Sequence, residues 1–260
     1  MSLKRRQMDE QKEMLHFSTT PRAEVTAMLK LLRYQPIDRG EDDEHSVIVL
    51  NFDAILRNKY QDVCMGAFTV RILTPLLRVY QFFRMRHLNA FHPEAVKEIA
   101  TADDSFDDLW QRTKKKYSNT NVRTADTVNW YCFSNKQAVK KLLGYYEGGK
   151  LIGYMAFMAN ENPEVRILEC VDLWIDSDGG EGRILGSLVA KAQDCAKQFS
   201  FDQVMLPHFN RETAALYKKL GLLRQRTWKK NEYIKAPQHI LEKITAENSY
   251  FVSAQGDYGL

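Results

Sequence analysis

The chain has no long apolar run free of charge, no low-complexity segment and no recognisable secretory leader. A helix that spans a bilayer needs about 20 consecutive apolar residues. The most apolar stretch, at about 62–88, is interrupted by Arg71, Pro75 and Arg78, and charged residues are costly within a membrane. We therefore expect a cytoplasmic protein with no membrane partner.

The chain is also poor in cysteine and close to charge balance. Cys64, Cys132, Cys170 and Cys195 have irregular spacing and form no pair of the metal-binding type. We therefore predict reduced thiols, no metal site and an intracellular protein. The 37 Lys and Arg residues against 33 Asp and Glu residues give a net charge of +4. This excess permits an anionic ligand but is too small to predict a nucleic-acid partner.

Residues 143–175 carry the pattern of a β-hairpin followed by a long apolar strand. Gly148 and Gly149 mark a tight turn, where glycine supplies positive φ. Apolar strands are predicted on either side of a second turn, at 151–158 and 165–175. The second strand is apolar on both faces, which favours a central position covered on both sides.

A glycine-rich loop at 178–182 follows this strand. It leads into a helix predicted at about 183–198, and a short apolar strand at 204–206 comes next. Backbone N–H groups at the start of such a helix form a natural site for an anion. A turn that only caps the helix is the alternative interpretation of the loop.

The segment that begins at Asn210 predicts a short helix with both ends capped. Asn210 is a favourable N-cap residue, and Gly221 stands where a left-handed C-cap belongs. Ala214, Tyr217 and Leu220 are spaced by three and lie on one stripe of the helix. Tyr217 is therefore either a core aromatic or a functional group.

The order of hairpin, central strand, glycine loop, helix, strand and tyrosine-bearing helix resembles the GNAT superfamily of acyl-CoA N-acyltransferases. The resemblance covers about two thirds of the chain, residues 91–260. It implies an α/β fold with a mixed central sheet flanked by helices. It also implies direct transfer of an acyl group, expected to be acetyl, from coenzyme A to a small-molecule or peptide amine.

The resemblance also assigns site residues. In the family, the tyrosine of the late helix protonates the leaving thiolate, and Tyr217 holds that place with Asn210 before it. A bulged central strand frees backbone N–H groups toward the thioester and the pantetheine arm, and the glycine loop binds the pyrophosphate. The matching positions are Leu173, Trp174 and Ile175 in the strand and Gly180, Gly182, Arg183 and Gly186 in the loop.

The loop departs from the family motif, Gln/Arg-x-x-Gly-x-Gly/Ala. One register places Glu181 first and Ile184 fourth, so that only Gly186 matches. A shifted register that starts at Arg183 recovers two of three positions. Because the carboxylate of Glu181 would disfavour a nearby pyrophosphate, the sequence leaves acetyl-coenzyme A as an expected acyl donor with a degenerate site.

Glu169 and Asp172 are the candidate general bases on the central strand. Period-two alternation predicts that they lie on opposite faces of the sheet. Partial burial raises the pKa of a carboxyl group, which suits a base. The alternatives are a strand-end position or a pair with an arginine. His208, after the next strand, is predicted to be an ordinary loop residue.

Residues 122–133 resemble a helix of tandem-type bacterial GNAT proteins that walls the acceptor cleft. The resemblance implies that Arg123 binds an anionic part of the substrate and that Trp130 lines the same cleft. An ion pair at the surface is the alternative for Arg123.

The first part of the chain contains a weak internal repeat. Residues 23–34 align with 211–222, with Leu29 in place of Tyr217 and Arg33 in place of Gly221. We predict a degenerate partial GNAT-like unit at 1–60, a helical bridge at 61–90 and the acyltransferase domain at 91–260. The strands of the first unit must extend the second sheet or pair with another chain, so a homodimer through this unit is possible.

Two other functions stay open at this level. One is a catalytically inactive GNAT-like module that binds a ligand or assembles with a partner. The other is a Fem-type transfer of aminoacyl groups from tRNA, which would need a wide basic groove. Titration of the chain with acetyl-coenzyme A discriminates between the leading function and the inactive module.

Overall fold

The structure, a computed structural model, describes residues 16–18, 23–36, 44–60, 66–91, 93–134, 140–161, 164–176, 180–226 and 233–252. The helices in this part of the chain are α1 (Ala23–Leu31), α2 (Phe52–Tyr60), α3 (Gly66–Met85), α4 (Asp104–Thr113), α5 (Ala125–Phe133), α6 (Glu181–Gln198), α7 (Arg211–Lys219) and α8 (Gln238–Leu241), with short 3₁₀ turns at Leu88–Ala90 and Pro93–Ala95. The strands are β1 (His16–Ser18), β2 (Gln35–Pro36), β3 (Glu44–Val49), β4 (Val96–Ile99), β5 (Asn119–Thr120), β6 (Lys140–Glu147), β7 (Lys150–Glu161), β8 (Arg166–Ile175), β9 (Gln203–Pro207), β10 (Leu223–Arg226), β11 (Tyr233–Lys235) and β12 (Ser249–Tyr250).

Seven of these strands form one mixed sheet in the order β10-β3-β9-β8-β7-β6-β4. β8 and β9 run parallel, and the other neighbours are antiparallel. α6 packs against β6 to β9, and α4 packs against β7. β8 is the fourth of the seven strands, so the central position predicted from its apolar faces is confirmed.

Local sequence signals account for several boundaries of helices and strands. Gly148 and Gly149 have φ of 55° and 82° in the β6–β7 turn, which is the left-handed region that favours glycine. The side-chain oxygen of Asn210 accepts a hydrogen bond from the Thr213 N–H at 2.9 Å and caps α7. Gly221 ends that helix with φ of 74°. The predicted turn and both predicted caps are therefore confirmed.

Strand β3 lies inside the large sheet, between β9 and β10. Its register places Val47 opposite Leu223 of β10. Ile48 joins the main core on one face, and Val47 packs with Phe52 of α2 on the other. β3 therefore extends the second sheet, which is one of the two outcomes predicted for the N-terminal strands.

Strands β1 and β2 instead pair with β11 in a separate three-stranded sheet. Helix α1, which the sequence aligns with α7, is followed by Arg33 with φ of 63°, so both helices precede a left-handed residue. The predicted repeat and the domain boundaries at residues 60 and 90 stay predictions.

Among the described residues, no helix has the length and apolar content needed to cross a membrane. Within the same residues, no group of three or more His, Cys, Asp or Glu side chains is placed to hold a metal ion. Cys132, Cys170 and Cys195 are free and buried. Cys64 and the first two residues of the predicted glycine loop, 178 and 179, lie outside the described residues.

Candidate active site

The two parallel strands at the centre of the sheet separate into a fork. β8 and β9 pair only from Ile167 opposite Gln203 to Glu169 opposite Met205. Beyond that point β8 continues to Ile175 along β7, and β9 continues to Pro207 along β3. The carboxyl ends of the two strands are thus free of each other, and such a crevice is a common place for ligands in α/β sheets.

A β-bulge lies at the start of the fork. In the β7–β8 pairing Ala156 lies opposite Asp172 and Phe157 lies opposite Cys170, so Val171 is an extra residue on β8. Such a bulge leaves one residue outside the ladder and bends the strand.

The bulge corrects the prediction for the two carboxylates. Glu169 lies opposite Met158, and Asp172 lies opposite Ala156. Because Ala156 and Met158 are two positions apart on β7, they share a face. Glu169 and Asp172 therefore also share a face, and the prediction of opposite faces is wrong because strict alternation ignores the inserted Val171.

A cavity of about 30 Å³ lies at the mouth of the fork, between the free end of β8 and helix α7, which follows β9. Its walls come from the end of β8, the first turns of α6 and α7, and the segments around residues 117 and 250. The lining residues are Lys116, Tyr117, Leu173, Trp174, Ile175, Glu181, Glu212, Thr213, Leu216 and Tyr250. The structure therefore brings together Leu173, Trp174 and Ile175, the three strand positions predicted to face a cofactor.

Tyr217 is fully buried next to this cavity, on the same helix as the lining residues Thr213 and Leu216. Its hydroxyl oxygen has no hydrogen-bond partner within the described part of the chain. Burial raises the pKa of Tyr217 well above 10, with smaller contributions from Cys170 and Tyr250. A buried hydroxyl without a partner needs an explanation, and a hydrogen bond to a bound substrate or cofactor would supply one.

Tyr117 and Tyr250 cover the cavity as a stacked aromatic pair with ring centroids 5.1 Å apart. The Tyr117 hydroxyl donates to Glu212 at 2.6 Å and accepts from the Asn210 side chain at 3.0 Å. Burial, and then the bond to Glu212, raise the pKa of Tyr117. Asn210 therefore serves both as the cap of α7 and as a support for the aromatic cover.

Asp172 accepts three hydrogen bonds in a fully buried cluster. One carboxylate oxygen accepts from Arg123 Nε at 3.2 Å. The other accepts from the hydroxyl groups of Tyr131 at 2.7 Å and Tyr154 at 2.6 Å. Both charged side chains have 0% exposure, so each charge depends on the other for compensation.

Arg123 is also held over the ring of Trp174, with its guanidinium carbon 4.1 Å from the ring centroid. Its Nη1 donates to the Thr120 hydroxyl at 2.8 Å and to the Asn121 carbonyl at 2.7 Å. Burial acts to lower the pKa of Arg123, but Asp172 and the surrounding tyrosines offset it and the net shift is upward. Arg123 thus supports the cavity wall from behind Trp174.

Trp130 lies on α5 with 44% of its surface exposed and is not among the residues that line the cavity. The structure therefore does not bring Trp130 together with Arg123 in one cleft wall. Their predicted contact with an acceptor substrate stays a prediction.

The start of α6 carries four of the predicted cofactor positions. Gly180 is the N-cap residue. A Cβ at Gly182 would meet no atom within 4 Å, so the backbone there borders open space. Arg183 donates to the Tyr145 hydroxyl at 2.8 Å and forms an ion pair with Glu147. The guanidinium group of Arg183 is therefore already engaged by Tyr145 and Glu147.

Glu181 and Gly186 are two positions at which the loop was compared with the family motif, and each has a structural role. The carboxylate of Glu181 accepts from Lys116 Nζ at 3.0 Å, so the charge that disfavours a phosphate is paired. A Cβ at Gly186 would lie 2.5 Å from the ring of Phe91. Gly186 therefore permits close packing of α6 on Phe91, a structural reason for glycine that requires no ligand.

Glu169 on β8 and His208 just after β9 are two further buried titratable groups. Glu169 is 3% exposed at the last β8–β9 pair. His208 is 5% exposed, and its Nε2 is 2.9 Å from the hydroxyl of Ser46 on β3. Burial, then Arg224 and His45, lower the pKa of His208 to about 4. His208 is thus a buried neutral residue with its ring 6.0 Å from that of Tyr217, not an ordinary loop residue.

Comparisons of sequence find no match: no family model and no curated protein matches the chain. Comparison with solved structures finds matches. A protein of Enterococcus faecalis V583 described as a probable N-acyltransferase matches with a TM-score of 0.50 and 10% identity, over 89% of this chain and 47% of that one. The chain has the fold of the GNAT acyltransferases.

Two solved N-acetyltransferase structures are also similar to the chain. A GCN5-related N-acetyltransferase of Anabaena variabilis ATCC 29413 matches with a TM-score of 0.48 and 11% identity, over 89% of this chain and 48% of that one. A ribosomal-protein-alanine N-acetyltransferase of Brucella melitensis biovar Abortus 2308 matches with a TM-score of 0.39 and 17% identity, over 52% and 94%. The chain spans about half the length of the Enterococcus and Anabaena proteins.

Several residues around the cavity were not predicted from the sequence. Lys116, Tyr117, Glu212 and Tyr250 line the cavity but carry no motif of their own. Glu212 stands in the first turn of the helix of Tyr217, which was a usable signal. Tyr117 and Tyr250 had none, because they reach the cavity only through tertiary packing.

Proposed function

We propose that the chain transfers an acyl group, expected to be acetyl, from the thioester of coenzyme A to an amine of a small molecule or peptide by direct attack. The observation that carries the proposal is the fork between β8 and β9 with the buried, unpartnered hydroxyl of Tyr217 beside it. The fork offers a slot for an extended arm, and the hydroxyl offers a proton beside it.

The residues around the fork fit coenzyme A, which supplies the activated thioester when bound. Backbone N–H groups near Gly182 border open space at a helix N-terminus, where the helix dipole favours a phosphate. Leu173 and Trp174 would line the arm. Because typical ligand pockets have volumes of about 300 Å³ or more, the cavity of about 30 Å³ requires the fork to open on binding.

Tyr217 is the proposed general acid. The hydroxyl is protonated at neutral pH, because an ordinary tyrosine pKa is about 10 and burial raises the pKa of Tyr217 further. A donor to a leaving thiolate must carry this proton. No described residue accepts the hydroxyl proton, so it remains available for a sulfur atom.

Glu169 is the preferred candidate for the general base, and Asp172 is proposed to have a structural role in the buried cluster. Glu169 stands where β9 leaves β8, at the floor of the fork. Both carboxylate oxygens of Asp172 are engaged by Arg123, Tyr131 and Tyr154. Asp172 would have to break the buried cluster to take a proton from the substrate, so the preference for Glu169 rests on its position at the fork.

Thermal shift and thiol release test the proposal on the full chain. Acetyl-coenzyme A should raise the melting temperature because it binds only the folded state. A panel of amines should then identify one that releases the thiol. Gly182→Asp should abolish the thermal shift by adding a negative charge where the phosphate binds, whereas the matched Gly182→Ala should keep it, since the added methyl group meets nothing.

The absence of a thermal shift at millimolar acetyl-coenzyme A would contradict the proposal and favour the inactive module. A shift without thiol release from any amine would retain the site for coenzyme A and remove the transfer reaction. An equal shift in Gly182→Asp and the parent protein would place the donor elsewhere.

A further inference from the structure

Helix α3 presents a continuous apolar stripe to solvent. Its members are large side chains that are 46–65% exposed: Phe68, Ile72, Leu76, Val79, Tyr80, Phe82 and Phe83. The stripe runs along the helix over about four turns. Contiguous apolar patches of this kind are uncommon on monomers and mark interaction surfaces.

The stripe cannot turn inward, because the opposite side of α3 is fixed to the domain. The side chain of Gln81 accepts from the Val49 N–H at 3.0 Å and donates to the Val49 carbonyl at 2.8 Å, as a neighbouring strand would. Val70 and Met85 are buried on the same side. Arg84 donates to the Leu222 carbonyl at 3.3 Å. The tertiary structure therefore holds the apolar side outward.

The spacing of the stripe is that of a helix-pairing seam. Ile72, Leu76, Val79 and Phe83 follow the alternating four-and-three spacing of the core positions of a heptad. The flanking positions of the same seam are also apolar, being Pro75, Tyr80 and Phe82. Arg71 and Arg78 fall outside the seam, so no charge would be buried by a partner helix.

We propose that a second copy of this chain covers the stripe, with α3 packed against α3 of its partner in an antiparallel pair. Seven side chains of about 200 Å² each, roughly half exposed, offer on the order of 700–800 Å² per chain. A standard stable interface buries about 800 Å² per partner. A two-fold symmetric dimer uses the same patch on both chains, as this seam allows.

The antiparallel direction follows from charge. Arg84 and Arg86 stand at the carboxyl end of α3, and residues 66–91 contain no Asp or Glu. A parallel pair would bring the two cationic ends together, and an antiparallel pair separates them and also opposes the helix dipoles. In an antiparallel seam Leu76 of one copy faces Val79 of the other, and Ile72 faces Phe83.

The dimer would leave the acyl-transfer site open. A recess of about 270 Å³ beside the stripe includes Gln193 and Lys197 near the end of α6, whereas the cavity in the fork includes Glu181 at its start. Gln193 and Lys197 lie twelve to sixteen residues after Glu181 on α6, which separates the recess from the cavity by about 20 Å along the helix. This interface uses α3, in the predicted bridge, and not the 1–60 unit from which a homodimer was first expected.

Light scattering coupled to size exclusion tests the proposal with the full chain. The parent protein should elute with a mass near twice 30.2 kDa. Leu76→Glu should give a folded monomer, since the side chain is exposed in the protomer and the new charge would be buried only in the dimer. Arg71→Glu, a charge change on the same helix outside the seam, should remain dimeric. Circular dichroism and melting curves verify the fold of each variant.

A charge pair tests the register. Val79→Lys should also be monomeric alone, and a mixture with Leu76→Glu should form a heterodimer because the two new charges face each other. A monomeric parent, or a dimer that survives Leu76→Glu, would overturn the proposal. A monomer that sediments with phosphatidylserine vesicles, but not with phosphatidylcholine vesicles, would assign the stripe to an anionic membrane surface and overturn it as well.

Discussion

Glu169 and Asp172 lie three positions apart on β8 and nevertheless face the same side of the sheet, because Val171 is an extra residue in the β7–β8 pairing. The bulge stands where β9 ceases to pair with β8. It therefore brings two carboxylates and the opening of the fork into one place. Of the two, Asp172 is engaged by a buried arginine and two tyrosines, and Glu169 stands at the floor of the fork.

Tyr217→Phe separates catalysis from stability. We expect turnover to fall roughly ten- to a thousand-fold, the usual range for loss of a general acid, with little change in acyl-donor affinity. Because the hydroxyl makes no hydrogen bond to described residues, its removal should leave the melting temperature unchanged or raise it. Steady-state kinetics and thermal melts of the same preparation measure both. Equal turnover in variant and parent would return Tyr217 to the role of a core aromatic.

Asp172→Asn should destabilise the fold. The variant leaves Arg123 as an uncompensated buried charge, and breaking a buried pair costs about 3–5 kcal/mol. The double variant Arg123→Met, Asp172→Leu should recover much of that loss, because it removes both charges. Urea unfolding of the parent protein, both single variants and the double variant measures the coupling. If Asp172→Asn lowered turnover without loss of stability, Asp172 and not Glu169 would be the better candidate for the base.

Gly186→Ala tests whether Gly186 is needed for packing or for a phosphate. The new methyl group would meet the Phe91 ring at 2.5 Å, and overpacking of this kind costs about 1–3 kcal/mol. Gly182→Ala, in open space on the same helix, should be neutral or slightly stabilising.

In the background of Phe91→Leu, which makes room for the methyl group, Gly186→Ala should cost less and should keep the thermal shift with acetyl-coenzyme A. Loss of the shift in that relieved background would instead show a direct role for Gly186 in binding the donor.

His208 should make stability depend on pH between about 4 and 6.5. Its pKa is about 4 in the folded protein and about 6.5 in an unfolded chain. In this interval the unfolded state binds more protons, so this contribution to stability is present above pH 6.5 and is lost as pH falls toward 4. The slope for one proton is at most about 1.4 kcal/mol per pH unit.

His208→Gln retains a polar group toward Ser46 and removes the titration, so its unfolding free energy should depend less on pH than that of the parent in this interval. Denaturant unfolding at several pH values compares the two proteins. Parallel pH profiles would mean that His208 titrates normally and is not buried in solution.

Elements with local causes can be predicted from neighbouring residues. The β6–β7 turn depends on Gly148 and Gly149, and α7 begins and ends where Asn210 and Gly221 require. The central position of β8 followed from its apolar character on both faces. Each of these signals acts within a few residues of where it is read, so neighbouring sequence is sufficient to reveal it.

The candidate site depends on contacts between parts of the chain that are far apart in sequence. The bulge at Val171 is a matter of register with β7, and the sequence of β8 alone reads as regular alternation. The sequence around Arg123 is compatible with a surface or substrate-binding group, and only the fold buries it in an ion pair with Asp172. Ser46 meets His208 across 162 residues, and Tyr250 covers the cavity from the far end of the chain. Contacts of this kind are set by which surfaces can be buried together, and that choice depends on the whole chain at once.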